Sequence, residues 1–448
     1  MMTQTVDKEP FENNFTRREF LAGAIKSGLL LTLTGQMLLS KKALAGAYTG
    51  QSLSLVLIQP HKISGEVLRK SFEEQTGAKL NVTIVPYDVI EAQATLDIQS
   101  GANQFDVVEY WYASIGSLVE NNVLQDVTDL IAKDEATIKT SDYIRSIYDP
   151  YTLYKSKRWG LPYDGDTHVL FYNTTLLERH NVKPPTTWDE YLIAAKTITE
   201  AEKQNGVYGA IVMGAAIPVI IGSTFANRLA GFGGEFLKPD GTPNLESDAA
   251  FKAAKALLDV APYALPTPVE TAFEQAVPSF LDGKGAFIEC WTDLGVYAQD
   301  AQKSKIIDQW DVAQLPVEKK EDKPRASLNA GFGLGISTAT KKKELAWEFV
   351  KWATGYKTAL ELITTANSGI DPTRLTTLNA QEYKRFAPKV QRAANAALNG
   401  AVAWPTIPES PKMMRSLCEK LNRMLADHQS PELAVRQINS DWVQILQG

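Results

Sequence analysis

From residue 52 onward the chain alternates short apolar runs with stretches whose apolar residues recur every three or four positions. Residues 52–58 (SLSLVLI) form a β-rich apolar run, and Val67, Leu68 and Phe72 at helical spacing predict a helix over 65–75. Thr76-Gly77 ends that helix, 80–85 alternates as a second strand, 89–99 is predicted helical until Gly101, and 105–110 makes a third strand. Strands and helices alternating in this way require a parallel sheet with helices on both faces, and such sheets take ligands at the carboxyl ends of their strands. Trp111 sits at one such end.

Farther along, Leu161-Pro162-Tyr163-Asp164-Gly165-Asp166 runs into an apolar strand over 168–173, which predicts a first crossing between two lobes. Pro184-Pro185-Thr186-Thr187-Trp188 then sets up a helix whose Asp189 and Glu190 suit its positive N-terminal end, with Tyr191, Leu192, Ala195 and Ile198 on one face. Residues 281–290 (LDGKGAFIEC) read as a turn and a strand ending at Trp291, and 310–316 (WDVAQLP) leads back toward the first lobe as a second crossing. A Gly-rich strand over 331–336 precedes a helix over 341–354 with Leu345, Ala346, Phe349, Val350 and Ala353 on one stripe. The remainder is predicted helical, broken at 404–411, where Pro405, Pro408 and Pro411 require a surface loop or a cleft wall.

At 448 residues the chain exceeds one ordinary core, which supports two lobes of roughly 150 to 250 residues each. Charged residues make up 22%, and no run after residue 45 has the ~18 uninterrupted apolar residues of a membrane span, so the body is expected to be soluble. A net charge of -6, with no dense basic patch beyond Lys341-Lys342-Lys343, argues against a nucleic-acid partner. Cys290 and Cys418, the two cysteines, imply neither a disulfide framework nor a Cys-based zinc site; one bridge or two separate buried thiols both remain open. His61, His168, His180 and His428 never pair at metal-ligand spacing, and no G-x-S-x-G, H-E-x-x-H or P-loop is present, so no enzyme, metal or cofactor is expected. Asp164 with Asp166 has the composition of a glycosidase pair, which needs its carboxyls about 5 to 9.5 Å apart, and spacing alone does not dismiss that.

The first 45 residues have the pattern of a processing segment: a polar start, Thr16-Arg17-Arg18-Glu19-Phe20-Leu21, a diluted apolar run over 22–39, and Ala43-Leu44-Ala45. This resembles a twin-arginine signal peptide, which implies folding before export, a mature chain from near Gly46, and a periplasmic location. No lipobox cysteine lies near residue 45, which disfavours a lipid anchor.

With these segments placed, the mature chain resembles the family 1 extracellular solute-binding proteins, relatives of the maltose-binding protein. Five pieces carry the likeness: 72–80 (FEEQTGAKL), 96–111 (LDIQSGANQFDVVEYW), 161–198 with LPYDGDTHVLFYNTTLLE and PPTTWDEYLIAAKTI, 280–291 (FLDGKGAFIECW), and 331–354 (GFGLGISTATKKKELAWEFVKWAT). The resemblance implies an α/β fold of the periplasmic-binding-protein type II, two α/β lobes with a hinge and an interlobe ligand cleft, joined by three crossings, the third near 355–373. The lobes are then expected over 46–162 with about 312–358, and over 163–311 with about 359–448. It also implies a monomer that closes on a small solute and hands it to ABC permease subunits at the membrane.

A sugar offers C–H faces to aromatic rings and hydroxyls to charged or amide groups, so loop residues of those types at strand ends are the candidates. The resemblance puts cleft aromatics at Trp111 and Trp291, although either indole could fill core beside its strand; Trp404 in the proline loop matches less closely. Tyr163, Asp164 and Asp166 lie in the first crossing, where the family places an acidic acceptor, and Asp293 follows Trp291. Arg374 sits where relatives carry G-x-x-P-x-R, or in a structural ion pair. His61 and Lys62 fall in the first ligand loop. The Asp-rich set disfavours a phosphate ligand; it suits a neutral carbohydrate or polyol, with a cationic solute such as a polyamine as the alternative. A sensory binding module is a third class that these residues do not separate from a transport receptor.

Overall fold

The computed structural model describes residues 46–398 and 400–448, so the signal expected over 1–45 lies outside the described residues. In chain order the strands are β1 (Ser52–Ile58), β2 (Lys79–Val85), β3 (Val107–Trp111), β4 (Leu153–Tyr154), β5 (Lys157–Arg158), β6 (Leu161–Asp164), β7 (His168–Asn173), β8 (Tyr208–Ile211), β9 (Gly285–Trp291), β10 (Trp310–Ala313) and β11 (Phe332–Ile336). They form a five-stranded sheet, β2-β1-β3-β11-β6, a four-stranded sheet, β10-β7-β9-β8, and the small β4-β5 hairpin. β1 is parallel to both neighbours, whereas β11 enters antiparallel between β3 and β6. In the second sheet β9 runs parallel to β8 and antiparallel to β7.

Local chemistry accounts for these elements. β3 and β9 are buried at every position, as continuous runs covered on both faces should be. The helix Lys62–Thr76 begins three residues before the sequence-based expectation, directly after a turn over Gln59–His61, and Gly77 closes it with φ 75°. Thr187 caps the helix Trp188–Glu202 by accepting the Glu190 N–H at 3.2 Å. Cys290 and Cys418 are separate, buried thiols. Among the described residues no helix is long and apolar enough to cross a membrane.

Three residues, Gly165 to Thr167, carry the chain from β6 in the first sheet to β7 in the second. Gly165 lets the crossing run tightly against another strand of chain: a Cβ there would lie 2.1 Å from the Pro372 carbonyl oxygen. Its N–H donates to the Asp371 carbonyl at 3.2 Å. The return runs from β10 to β11.

The third crossing departs from expectation. The helix Tyr356–Ile363 buries Thr358, Ala359, Leu362 and Ile363 and packs on the Lys62–Thr76 helix beside the first sheet. Ile144 N–H donates to the Thr373 carbonyl at 2.9 Å, so the chain still belongs with the first sheet at Arg374. The next long helix, Pro388–Leu398, packs on β10 and β7. The passage into the second lobe therefore falls between Arg374 and Pro388, not near 359, because the apolar face of Tyr356–Ile363 finds its partner on the first lobe.

Candidate functional site

The β1 end, the β6–β7 crossing and the β9 end meet at one cavity between the two sheets. Its walls include Ile58, Pro60, His61 and Phe332 from the first side, Val219, Ile220, Phe273, Trp291 and Asp293 from the second, and Asp166 from the crossing. The cavity holds ≈ 60 Å³ and adjoins a second of ≈ 330 Å³, with which it shares Tyr87, Val219 and Phe332. Strand ends facing one another across a crevice are the usual ligand position in such sheets.

His61 is buried and held from two sides. Its Nδ1 bonds the Glu109 carboxylate, and its Nε2 lies 3.5 Å from Asp164 Oδ2. Burial works against the imidazolium, but Glu109 and Asp164 outweigh it and carry the His61 pKa up to about 10. Glu109 points from the middle of β3, and its second oxygen accepts the Ile58 N–H at 2.7 Å, which ties the end of β1 to the charge pair. Asp164 Oδ1 accepts the Asp371 N–H at 2.7 Å, so the first crossing is bonded to the segment after Gly369.

Four aspartates gather at this junction. Asp166 and Asp371 are in carboxyl–carboxyl hydrogen-bond contact, and burial first, then the neighbouring Asp164, pushes both well above the usual carboxylate range. Asp293 is pushed up to about 7 by burial and then by Asp164. Asp293 Oδ1 and Trp291 Nε1 are buried atoms without a hydrogen-bond partner among the described residues, and Asp164 Oδ2 has only the His61 ring, at 3.5 Å. Unmatched buried polar atoms are costly, and their clustering at a cavity marks groups reserved for something else.

Trp291 meets the edge of His168, with ring centroids 4.5 Å apart at 89°, and tilts against Phe273. Burial depresses His168 to about 3, so this neighbour is a neutral imidazole. Asn227 bonds His168 Nδ1 at 2.9 Å and the buried Glu289, which pairs with Arg228 at 2.8 Å. Asn329, on the return crossing, donates to Asn227 at 3.1 Å and so links the rear of the Trp291 wall to the other lobe.

Of the residues selected from the sequence, the structure brings His61, Asp166, Trp291 and Asp293 to the cavity and Asp164 directly behind His61. Tyr163 stands one layer back: its hydroxyl donates to Ser64 and its ring meets the edge of His61. Trp111 lines the adjoining cavity, with its N–H on the Asn329 carbonyl at 3.2 Å. The other three stand outside the first cavity. Arg374 is 3% exposed, stacked on Tyr143 and bonded to the Thr354 and Ile138 carbonyls and to Asp142, a structural anchor away from the cleft. Trp404 is packed between Trp111 and Phe236 with its N–H on Ser327 at 2.6 Å, at the buried start of a proline loop whose Pro411 lines the adjoining cavity. Lys62 is exposed at the first position of its helix and lines neither cavity. Glu109, Asp371, Phe273 and Phe332 were missed. The one signal available was a glutamate inside the otherwise apolar run VVEYW.

Comparison with known proteins identifies the lineage. A family model described as a bacterial extracellular solute-binding protein matches residues 61–359. A probable amino-acid ABC transporter periplasmic-binding protein of Sinorhizobium fredii is 24% identical over 82% of this chain and 83% of its own length. The diacetylchitobiose-binding protein of Streptomyces coelicolor is 25% identical over 70% of this chain and 71% of its own. Among solved structures, an ABC transporter solute-binding protein of Agrobacterium radiobacter K84 in complex with ribitol superposes with a TM-score of 0.79 at 23% identity, covering 89% of this chain and 99% of that one. With two sheets flanking a cleft, strand ends turned toward it, and a family model spanning more than half of its length, the chain belongs to the bacterial extracellular solute-binding proteins.

Proposed function

We propose that this protein is the receptor of an ABC importer that captures a small hydroxylated solute, a carbohydrate or polyol, between its lobes and presents it to a membrane permease. The observation that carries this reading is the convergence of both sheets on one cavity where an aromatic wall, Trp291 and Phe273, stands beside the carboxyls of Asp166 and Asp293, the latter with an unpaired Oδ1. Aromatic faces take C–H patches and carboxylates accept hydroxyl hydrogens, the combination a polyol requires. Relatives named for ribitol and diacetylchitobiose are consistent with that class. The receptor acts as a monomer, without turnover, after export by the twin-arginine route.

A thermal-shift screen of residues 46–448 against sugars and polyols tests the proposal. A solute at 100 times its dissociation constant should add about 2.7 kcal/mol of stability, seen as a shift of several degrees. Conversion of the solute, or no shift with any member of these classes, would refute it.

A further inference from the structure

Resting on the receptor reading of the same cleft, we propose that the solute carries a protonated amine: an amino-substituted polyol or sugar, with no carboxylate or phosphate of its own.

Five carboxyls meet at the junction: Asp164, Asp166, Asp293, Asp371 and, behind them, Glu109. His61 is the one basic side chain recorded among them in the described residues, and Glu109 and Asp164 already engage it, which leaves Asp166, Asp293 and Asp371 without a cation. Asp293 Oδ1, at the cavity wall, is buried and has no hydrogen-bond partner among the described residues, and buried Asp164 Oδ2 has only the His61 ring, at 3.5 Å. A hydroxyl would give such oxygens one hydrogen and no charge. An ammonium group gives three donors and a full positive charge, which is what a crowded set of carboxyls lacks. Beside the carboxyls, Trp291 and Phe273 present faces that attract cations. Among the described residues no three His, Cys, Asp or Glu side chains are arranged to hold a metal ion, so an organic cation fits the cluster better.

The carboxyls hold protons that an incoming cation would displace. Asp166, Asp371 and Asp293 have raised pKa values, and a positive charge beside them favours their ionised forms. The other titratable groups facing them are the phenols of Tyr151, Tyr163, Tyr297 and Tyr383 and the thiol of Cys290, all pushed up by burial and neutral across the physiological range. Capture of an amine therefore releases protons and strengthens as pH rises, whereas capture of a neutral polyol does neither.

The test is titration calorimetry of residues 46–448 with ribitol, D-mannitol and D-sorbitol, each against its 1-amino-1-deoxy counterpart, in buffers of different ionisation heat from about pH 6 to about pH 8. In at least one pair the amine is expected to bind about 10-fold or more tightly than its parent, the worth of one charge-assisted hydrogen bond, with proton release. Asp293→Asn should weaken the amine far more than its neutral parent, so that the preference is lost, and should raise the melting temperature without solute, which shows that the variant is folded. Parents binding as well as their amines overturn the inference and leave the receptor standing. No binding by any amine overturns it as well, and the thermal-shift screen then decides the receptor reading separately. A preference that survives Asp293→Asn and Asp164→Asn also contradicts it.

Discussion

His61 and the aspartates around it set the protein's response to pH. His61 has a folded pKa raised to about 10 from an ordinary 6.5, so its stabilising contribution is full below about 6.5 and is lost as pH rises through about 10. Asp293, raised from 3.8 to about 7, binds its proton more tightly in the folded state, so its ionisation removes stability between about pH 4 and 7. His168, depressed to about 3, has the opposite sign, but only below about 6.5. Denaturant titrations without solute should show stability falling from about pH 7 to about pH 10, and Asp293→Asn should gain on the parent progressively from about pH 4 to 7. Stability that climbs through the upper range, or a variant that tracks its parent, contradicts this. The two tryptophans separate cleft from core. Trp291→Ala should cost about 1–3 kcal/mol of solute binding, whereas Trp404→Ala, at a site 2% exposed, should cost about 3–5 kcal/mol of folding stability. Calorimetry and denaturant midpoints distinguish them, and a reversed pattern would exchange the two roles.

At the scale of elements, the crossing from β6 to β7 depends on a glycine. Gly165→Ala places a methyl 2.1 Å from the Pro372 carbonyl and should destabilise by about 1–3 kcal/mol or more while weakening solute capture, since Asp164 and Asp166 flank it. A variant with unchanged stability and affinity would mean the crossing yields freely. Most elements were legible in the sequence where one periodicity ran unbroken between turn residues. β7 matches 168–173 residue for residue, and the Trp188–Glu202 helix announced its start and most of its buried face. What the pattern could not reveal was partnership across long separations. An amphipathic helix such as Tyr356–Ile363 declares an apolar face without naming the lobe that covers it. Arg374 was recognisable as a special charge, but its partners Tyr143 and Asp142 lie more than two hundred positions away. Glu109 pairs with a histidine 48 residues earlier, and a lone carboxylate in a strand carries no sign of that. Asp166 and Trp291 were legible because turn chemistry and strand ends place residues at a crevice regardless of what packs behind them.

The whole molecule joins three kinds of information: a leader that resembles a twin-arginine signal, two lobes hinged at the crossings, and a charged cleft between them. The twin-arginine route proposed for export depends on the arginine pair, so replacing Arg17 and Arg18 together by lysine should retain the protein in the cytoplasm, as read by cell fractionation; undiminished export would exclude the route. Capture between lobes links binding to shape, because a solute that touches both faces stabilises only the arrangement in which they meet. The most direct measurement is small-angle scattering of residues 46–448 across a titration with the solute that raises the melting temperature most. A radius of gyration that shrinks in step with binding is the expected result. A radius unchanged at saturation, with binding independently confirmed, would contradict capture between the lobes.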